Sequence, residues 1–144
     1  MEDAVRVPIY ELFAKAKRAI LIGDTATADE LCDAAWARMP EPKFGWDVTY
    51  VCLRGTVTYL RAAGRYDKAL GLVNDYLASD YYLDYQDGPY FWLGTLHYEK
   101  GEMAKAYEHF DRANAMSRGR CFVEEDPRYV RFFKDFKASS SLPR

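Results

Sequence analysis

The strongest constraint on the fold is a glycine followed five residues later by an alanine, which occurs three times in similar surroundings. The three pairs are Gly23 and Ala28, Gly64 and Ala69, and Gly101 and Ala106. The successive glycines lie 41 and 37 residues apart. Apolar residues recur at steps of three and four on both sides of each glycine, which is typical of α-helices. The pattern predicts three helix–turn–helix units, with longer loops between them around 41–46 and 79–88.

The third unit shows the pattern most clearly. One face of its first helix carries Tyr90, Leu93, Gly94 and His97. The same spacing continues in the second helix with Met103, Ala106, Tyr107, Phe110 and Ala113. Gly94 and Ala106 are small where the two helices would cross, so we predict close approach of their backbones there.

Tyr90-x2-Leu93-Gly94-x2-His97 followed by Ala106-x3-Phe110 resembles the tetratricopeptide repeat pattern W-x2-LG-x2-Y and A-x3-F, whose period is about 34 residues. This chain has Tyr for the Trp, His for the Tyr, and no closing Pro in the third unit. The resemblance implies an all-α fold of three helical hairpins in a right-handed superhelix. It also implies a concave surface built by the first helix of each unit.

We therefore expect one domain over residues 1–137, with units over about 3–40, 47–79 and 87–117. A closing helix over about 126–137 follows, because Asp126 is a good N-cap and Pro127 suits the first helical position. Residues 138–144 are expected to form a flexible tail.

Composition bounds the function. The 144 residues are 49% hydrophobic, which excludes general disorder, and 29% charged with a net charge of −2. This balance gives no sign of nucleic-acid or membrane-surface binding. The chain starts without a basic segment leading into an apolar core, so we expect no secretory signal. Three cysteines without a C-x-x-C pattern predict free thiols in a reducing, cytoplasmic compartment.

No catalytic pattern stands out. The two histidines, His97 and His109, lie on successive helices of the third unit, where a packed or hydrogen-bonded role is expected. The sequence has no glycine-rich phosphate loop, no supported Ser/His/Asp or Cys/His arrangement and no H-E-x-x-H. We predict a protein that is not an enzyme and holds no cofactor or metal.

The repeat register assigns side chains to the concave surface. The first two units contribute Tyr10, Phe13, Lys17, Val51, Arg54, Gly55, Thr58 and Arg61. The third contributes Phe91, Trp92, Thr95 and Tyr98. Phe91 and Trp92 carry the most weight, because Tyr90 and Leu93 already supply the core stripe of their helix. Contact of the two rings with the closing helix or the long loop is the alternative.

The loop between the second and third units contains Tyr81, Tyr82 and Tyr85. Their rings either cover helix ends or bind a partner, since tyrosine offers rigid contact area with a polar tip.

The predicted partner is another protein. The third unit and residues 119–133 are similar to small repeat proteins that accompany bacterial polymorphic toxins, which implies toxin neutralisation. A secretion or assembly chaperone or adaptor is the alternative, and a small enzyme or ligand-binding regulator comes third. A co-chaperone clamp is disfavoured, because its places hold Phe13, Lys17, Gly55, Gly88 and Trp92, only one of them basic.

Overall fold

A computed structural model describes residues 1–140 and confirms the all-α class, with no strand in that range. The seven α-helices of residues 1–140 are α1 (Asp3–Leu21), α2 (Thr25–Arg38), α3 (Thr49–Ala62), α4 (Tyr66–Ala78), α5 (Gly88–Glu99), α6 (Met103–Ser117) and α7 (Pro127–Ser140). A short 3-10 helix, Arg120–Phe122, lies between α6 and α7. Within residues 1–140, no helix is at once long and apolar enough to cross a membrane.

The chain divides into two compact parts, called the first and second unit below, whereas each helix–turn–helix repeat is called a hairpin. The first, Met1–Tyr82, contains α1 to α4, and the second begins at Leu83 and contains α5 to α7. Helices α1 and α2, α3 and α4, and α5 and α6 pack as pairs, within the predicted repeat limits. The single domain and the right-handed superhelix stay predictions.

The three hairpin turns share one geometry. Their left-handed glycines are Gly23, Gly64 and Gly101, with φ of 81°, 73° and 81°. At the first turn the Gly23 N–H donates to the Ile20 carbonyl (3.1 Å) and the Asp24 N–H to the Ala19 carbonyl (2.9 Å). The same two bonds close the other turns, which is the Schellman way of ending a helix. Glycine takes this conformation without steric cost, so the repeated glycine sets the repeated turn.

The alanines that follow these turns let the helices approach closely. Ala28, Ala69 and Ala106 are all 0% exposed. In the first unit, Ile9 of α1 and Leu53 of α3 are also fully buried, so the core lies between the two hairpins.

The α5–α6 crossing is as tight as predicted. A Cβ added at Gly94 would lie 2.6 Å from Cδ1 of Phe110, closer than real contacts allow. The Phe110 ring lies 5.4 Å from that of Phe91 and 5.8 Å from that of Tyr129 on α7. Helix α7 therefore closes the apolar end of this hairpin.

Helix α7 begins where the sequence predicts. The Asp126 carboxylate accepts a hydrogen bond from the Arg128 N–H at 3.0 Å, and Pro127 is the first helical residue. The predicted tail needs correction, because α7 continues to Ser140 and residues 138–140 are helical. Ala138, Ser139 and Ser140 include no helix breaker, so nothing local ends the helix at 137. The rest of the predicted tail, 141–144, lies outside the described residues.

Candidate functional site

A groove of about 370 Å³ lies between α1 and α3 in the first unit. Helix α1 contributes Tyr10, Phe13 and Lys17. Helix α3 contributes Val51, Arg54, Gly55 and Thr58. Residues three and four apart share a helix face, so one stripe from each helix meets the other across this concavity, called the α1–α3 groove below. The structure thus brings together seven of the eight residues predicted for this surface from the first two hairpins, all but Arg61.

The α1–α3 groove exposes apolar surface. Val51 is 53% exposed and Tyr10 is 41% exposed, whereas Phe13 is 8% exposed and forms a floor shared with the core. A Cβ at Gly55 would meet only the Tyr59 ring, at 3.7 Å, an ordinary contact. Neither packing nor φ therefore requires glycine there, and its absent side chain leaves the α3 backbone accessible.

The same groove carries positive charge. Lys17 and Arg54 are exposed, and within residues 1–140 neither side chain has an ion-pair partner. The Thr58 hydroxyl donates to the Arg54 carbonyl at 2.9 Å, which uses its proton inside the helix. Arg61, which the register also assigns to the concave surface, is half-buried and does not line the groove, so Lys17 and Arg54 supply its positive charge.

Three of the side chains predicted to line the concave surface from α5 are buried instead. Phe91 is 3% exposed, Trp92 is 5% exposed and Thr95 is fully buried, its hydroxyl donating to the Trp92 carbonyl at 2.8 Å. The Phe91 ring lies 6.1 Å from that of Tyr129 on α7 and 5.6 Å from that of Phe122. Contact with the closing helix, the alternative for these rings, is what the structure shows for Phe91.

The sequence of α5 contained the signal that these rings are buried. Every residue from Phe91 to Leu96 is buried, and the run has no charged or strongly polar side chain on any face. A helix that is apolar all round is buried all round, whereas a groove-lining helix needs a wetted face. Helices α1 and α3 have such a face, and α5 does not.

Tyr98 is half-buried rather than presented on an open face. Its ring packs edge-on against Tyr129 (5.5 Å, 86°) and Phe132 (5.1 Å, 63°) of α7. The ring borders a shallow surface cleft in the second unit, whose lining includes Arg131 and Phe136.

The loop tyrosines differ in exposure. The half-buried Tyr82 packs edge-on against Tyr76 at the end of α4 (5.9 Å, 79°), as a ring that covers a helix end does. Tyr81 is 45% exposed and lies beside Gly45, where an added Cβ would be 3.0 Å from its ring. Tyr85 is 73% exposed.

Both histidines serve the third hairpin. The His97 and His109 rings stack at 5.2 Å with planes 10° apart. His97 Nδ1 donates to the Glu102 carboxylate at 3.0 Å, and this bond is the main cause that lowers the pKa of Glu102 to about 2. Burial, and then the neighbouring His97, lowers the pKa of His109. In the described part of the chain, no group of three or more His, Cys, Asp or Glu could hold a metal ion.

The fold and the groove define a class, an all-α protein of helical hairpins with an open groove between neighbouring hairpins. In comparison with known proteins, no protein-family model, no curated protein and no solved structure matches the chain.

Proposed function

We propose that the protein is a non-catalytic binding module whose α1–α3 groove holds a segment of a partner protein. One observation carries the proposal: Tyr10 and Val51 expose apolar surface beside the cations Lys17 and Arg54, and all four line one concavity. Exposed apolar surface within a concave, charged rim is typical of protein-binding sites. The groove complements a segment that places carboxylates next to apolar anchors.

The chemistry of the remaining reactive groups supports a binding role. The two histidines contact each other and Glu102, and none of the three lines the groove. Burial raises the pKa of the Cys32 thiol to about 12 and that of the Cys52 thiol to about 11. At neutral pH both remain protonated and are poor nucleophiles. The groove therefore offers contact area and positive charge, and the thiol that lines it, that of Cys52, stays protonated at neutral pH.

Toxin neutralisation and chaperone or adaptor work are two uses of the proposed surface. Both require the groove to grip a protein segment, and they differ in what that segment belongs to. Toxin neutralisation remains the first proposal, resting on the sequence resemblance. The identity of a partner captured at the groove separates the two.

Site-specific photo-crosslinking in the cells that make the protein tests the proposal. A benzophenone amino acid replaces Tyr10 in the groove and, as a matched control, Lys15, which is exposed on the same helix but outside the groove. We expect a discrete adduct with one protein from position 10 and none from position 15. Adducts that are the same at both positions, or absent at position 10, would contradict the proposal.

A further inference from the structure

A second groove, of about 340 Å³, lies between α2 and α4 of the first unit. Its apolar lining includes Trp36 of α2, Leu60 of α3 and Leu72 of α4. The Trp36 indole N–H donates to the Thr56 hydroxyl at 2.8 Å, which fixes the ring as a wall. This α2–α4 groove shares no lining residue with the α1–α3 groove.

Gly71 opens the α2–α4 groove. It lies within α4, has no left-handed φ, and a Cβ added to it would meet nothing within 4 Å. Gly71 lies seven residues after the turn glycine Gly64. The positions seven residues after the other two turn glycines hold Glu30 and Glu108. Glycine weakens a helix interior relative to alanine, and here neither packing nor backbone conformation requires it. The empty volume above Gly71 is available to an incoming group.

The charge at this groove is negative. Its lining includes three carboxylates, Asp33, Asp67 and Asp75, against one ammonium, that of Lys68. Lys68 is already held by Asp29 at 2.5 Å and Asp33 at 2.8 Å. The exposed Asp75 has no ion-pair or hydrogen-bond partner among residues 1–140. An occupant with an apolar stem and a cationic end matches both the walls and the rim.

We propose that the α2–α4 groove receives a lysine or arginine side chain from a segment of a partner protein. Its aliphatic stem lies over Gly71 against Trp36 and Leu72, and its cationic end faces Asp75. This site is distinct from the α1–α3 groove and takes a segment of opposite charge.

Panning a random-peptide phage library on the immobilised protein tests this proposal. Each recovered peptide is then measured against Gly71→Leu, Asp75→Asn and, as a control, Asn74→Leu, an exposed position on α4 outside the groove. We expect peptides that lose about tenfold or more in affinity on Gly71→Leu to contain lysine or arginine beside aliphatic residues. The same peptides should weaken on Asp75→Asn, weaken when norleucine replaces the lysine, and bind Asn74→Leu normally.

The melting temperature of Gly71→Ala tests whether Gly71 serves the fold rather than the groove. Because the added methyl group meets open space, the variant should melt about 4 °C higher than the wild type. A lower melting temperature would mean that Gly71 serves the fold, which overturns the argument. The proposal also fails if no recovered peptide distinguishes Gly71→Leu from the wild type, or if those that do lack basic residues.

Discussion

At the scale of single residues, burial determines which cysteines can react. Cys32 and Cys52 are buried, and desolvation raises their thiol pKa to about 12 and about 11. Cys121 is half-buried, and burial also raises its pKa, but the Ser117 side chain opposes that rise. We predict that near neutral pH a thiol reagent labels Cys121 in the native protein and reaches the other two only after denaturation. Mass spectrometry of the labelled protein identifies the modified cysteines. As a control, Cys121→Ser should abolish labelling of the native protein. Rapid labelling of Cys32 or Cys52 in the native protein would contradict the prediction.

Trp92 belongs to the core, and its removal should show it. Trp92→Ala leaves a large cavity where the ring is 5% exposed, so we expect a loss of about 3–5 kcal/mol in the free energy of unfolding. Urea denaturation provides the measurement. Tyr85→Ala is the control, because that ring is 73% exposed and its loss should change stability by less than about 0.5 kcal/mol. Equal stabilities for the two variants would show that Trp92 does not pack in the core.

Ala106 marks the crossing of α5 and α6. Ala106→Leu places three extra carbons where the alanine is 0% exposed, so we expect overpacking that costs about 1–3 kcal/mol. Ala104→Leu on the same helix is the matched control, since Ala104 is exposed and should tolerate the change. Thermal denaturation of both variants measures the cost. A wild-type melting temperature for Ala106→Leu would show that the two helices do not cross at Ala106.

At the scale of helices and turns, His109 makes the α5–α6 hairpin sensitive to pH. His109 faces His97 across the hairpin, and Lys105, Arg112 and Glu108 of its own helix also act on it. Burial lowers its folded pKa below the ordinary value near 6.5. The contribution of neutral His109 to the stability of the hairpin is therefore complete above about pH 6.5. It is lost as the pH falls from there through the folded pKa.

The corresponding prediction compares wild type with His109→Gln. Between about pH 6.5 and the folded pKa, the unfolded chain takes up a proton at His109 that the folded chain does not. As the pH falls through this window, the unfolding free energy of the wild type should therefore decrease. The decrease should be shallower for His109→Gln. Urea denaturation at a series of pH values measures both slopes. Identical slopes would mean that protonation of His109 does not change the stability of the fold.

The positions of the helices could be predicted from sequence because their end signals are local. Gly23, Gly64 and Gly101 stop three helices, and Asp126 with Pro127 starts the last one. The end of α7 could not be placed, because Ala138 and the serines after it carry no stop signal. Whether Phe91 lines a groove or packs under the closing helix could not be decided from sequence, and the structure shows that α7 and the 3-10 helix lie against it.

At the scale of the whole molecule, side chains predicted for the concave surface share one groove in the first unit, whereas most of those in the second unit are buried. In the first unit the repeat register places Tyr10, Lys17, Arg54 and Thr58 in one groove, because helix periodicity alone fixes which residues share a face. In the second unit the same register fails as a guide to exposure. Whether a helix face meets water depends on what covers it, and Phe91 shows that the cover can come from distant parts of the chain.

We propose that the α1–α3 groove binds a partner segment through its cations and apolar residues. The most direct test is the association rate of the partner captured at position 10, measured over a range of salt concentrations. Arg54→Glu should slow association by about tenfold or more and reduce or reverse the slowing by salt seen with wild type, without changing the melting temperature. Lys15→Glu, an equal charge change outside the groove, should behave like the wild type. If Arg54→Glu associates as fast as the wild type at every salt concentration, the groove is not the binding site.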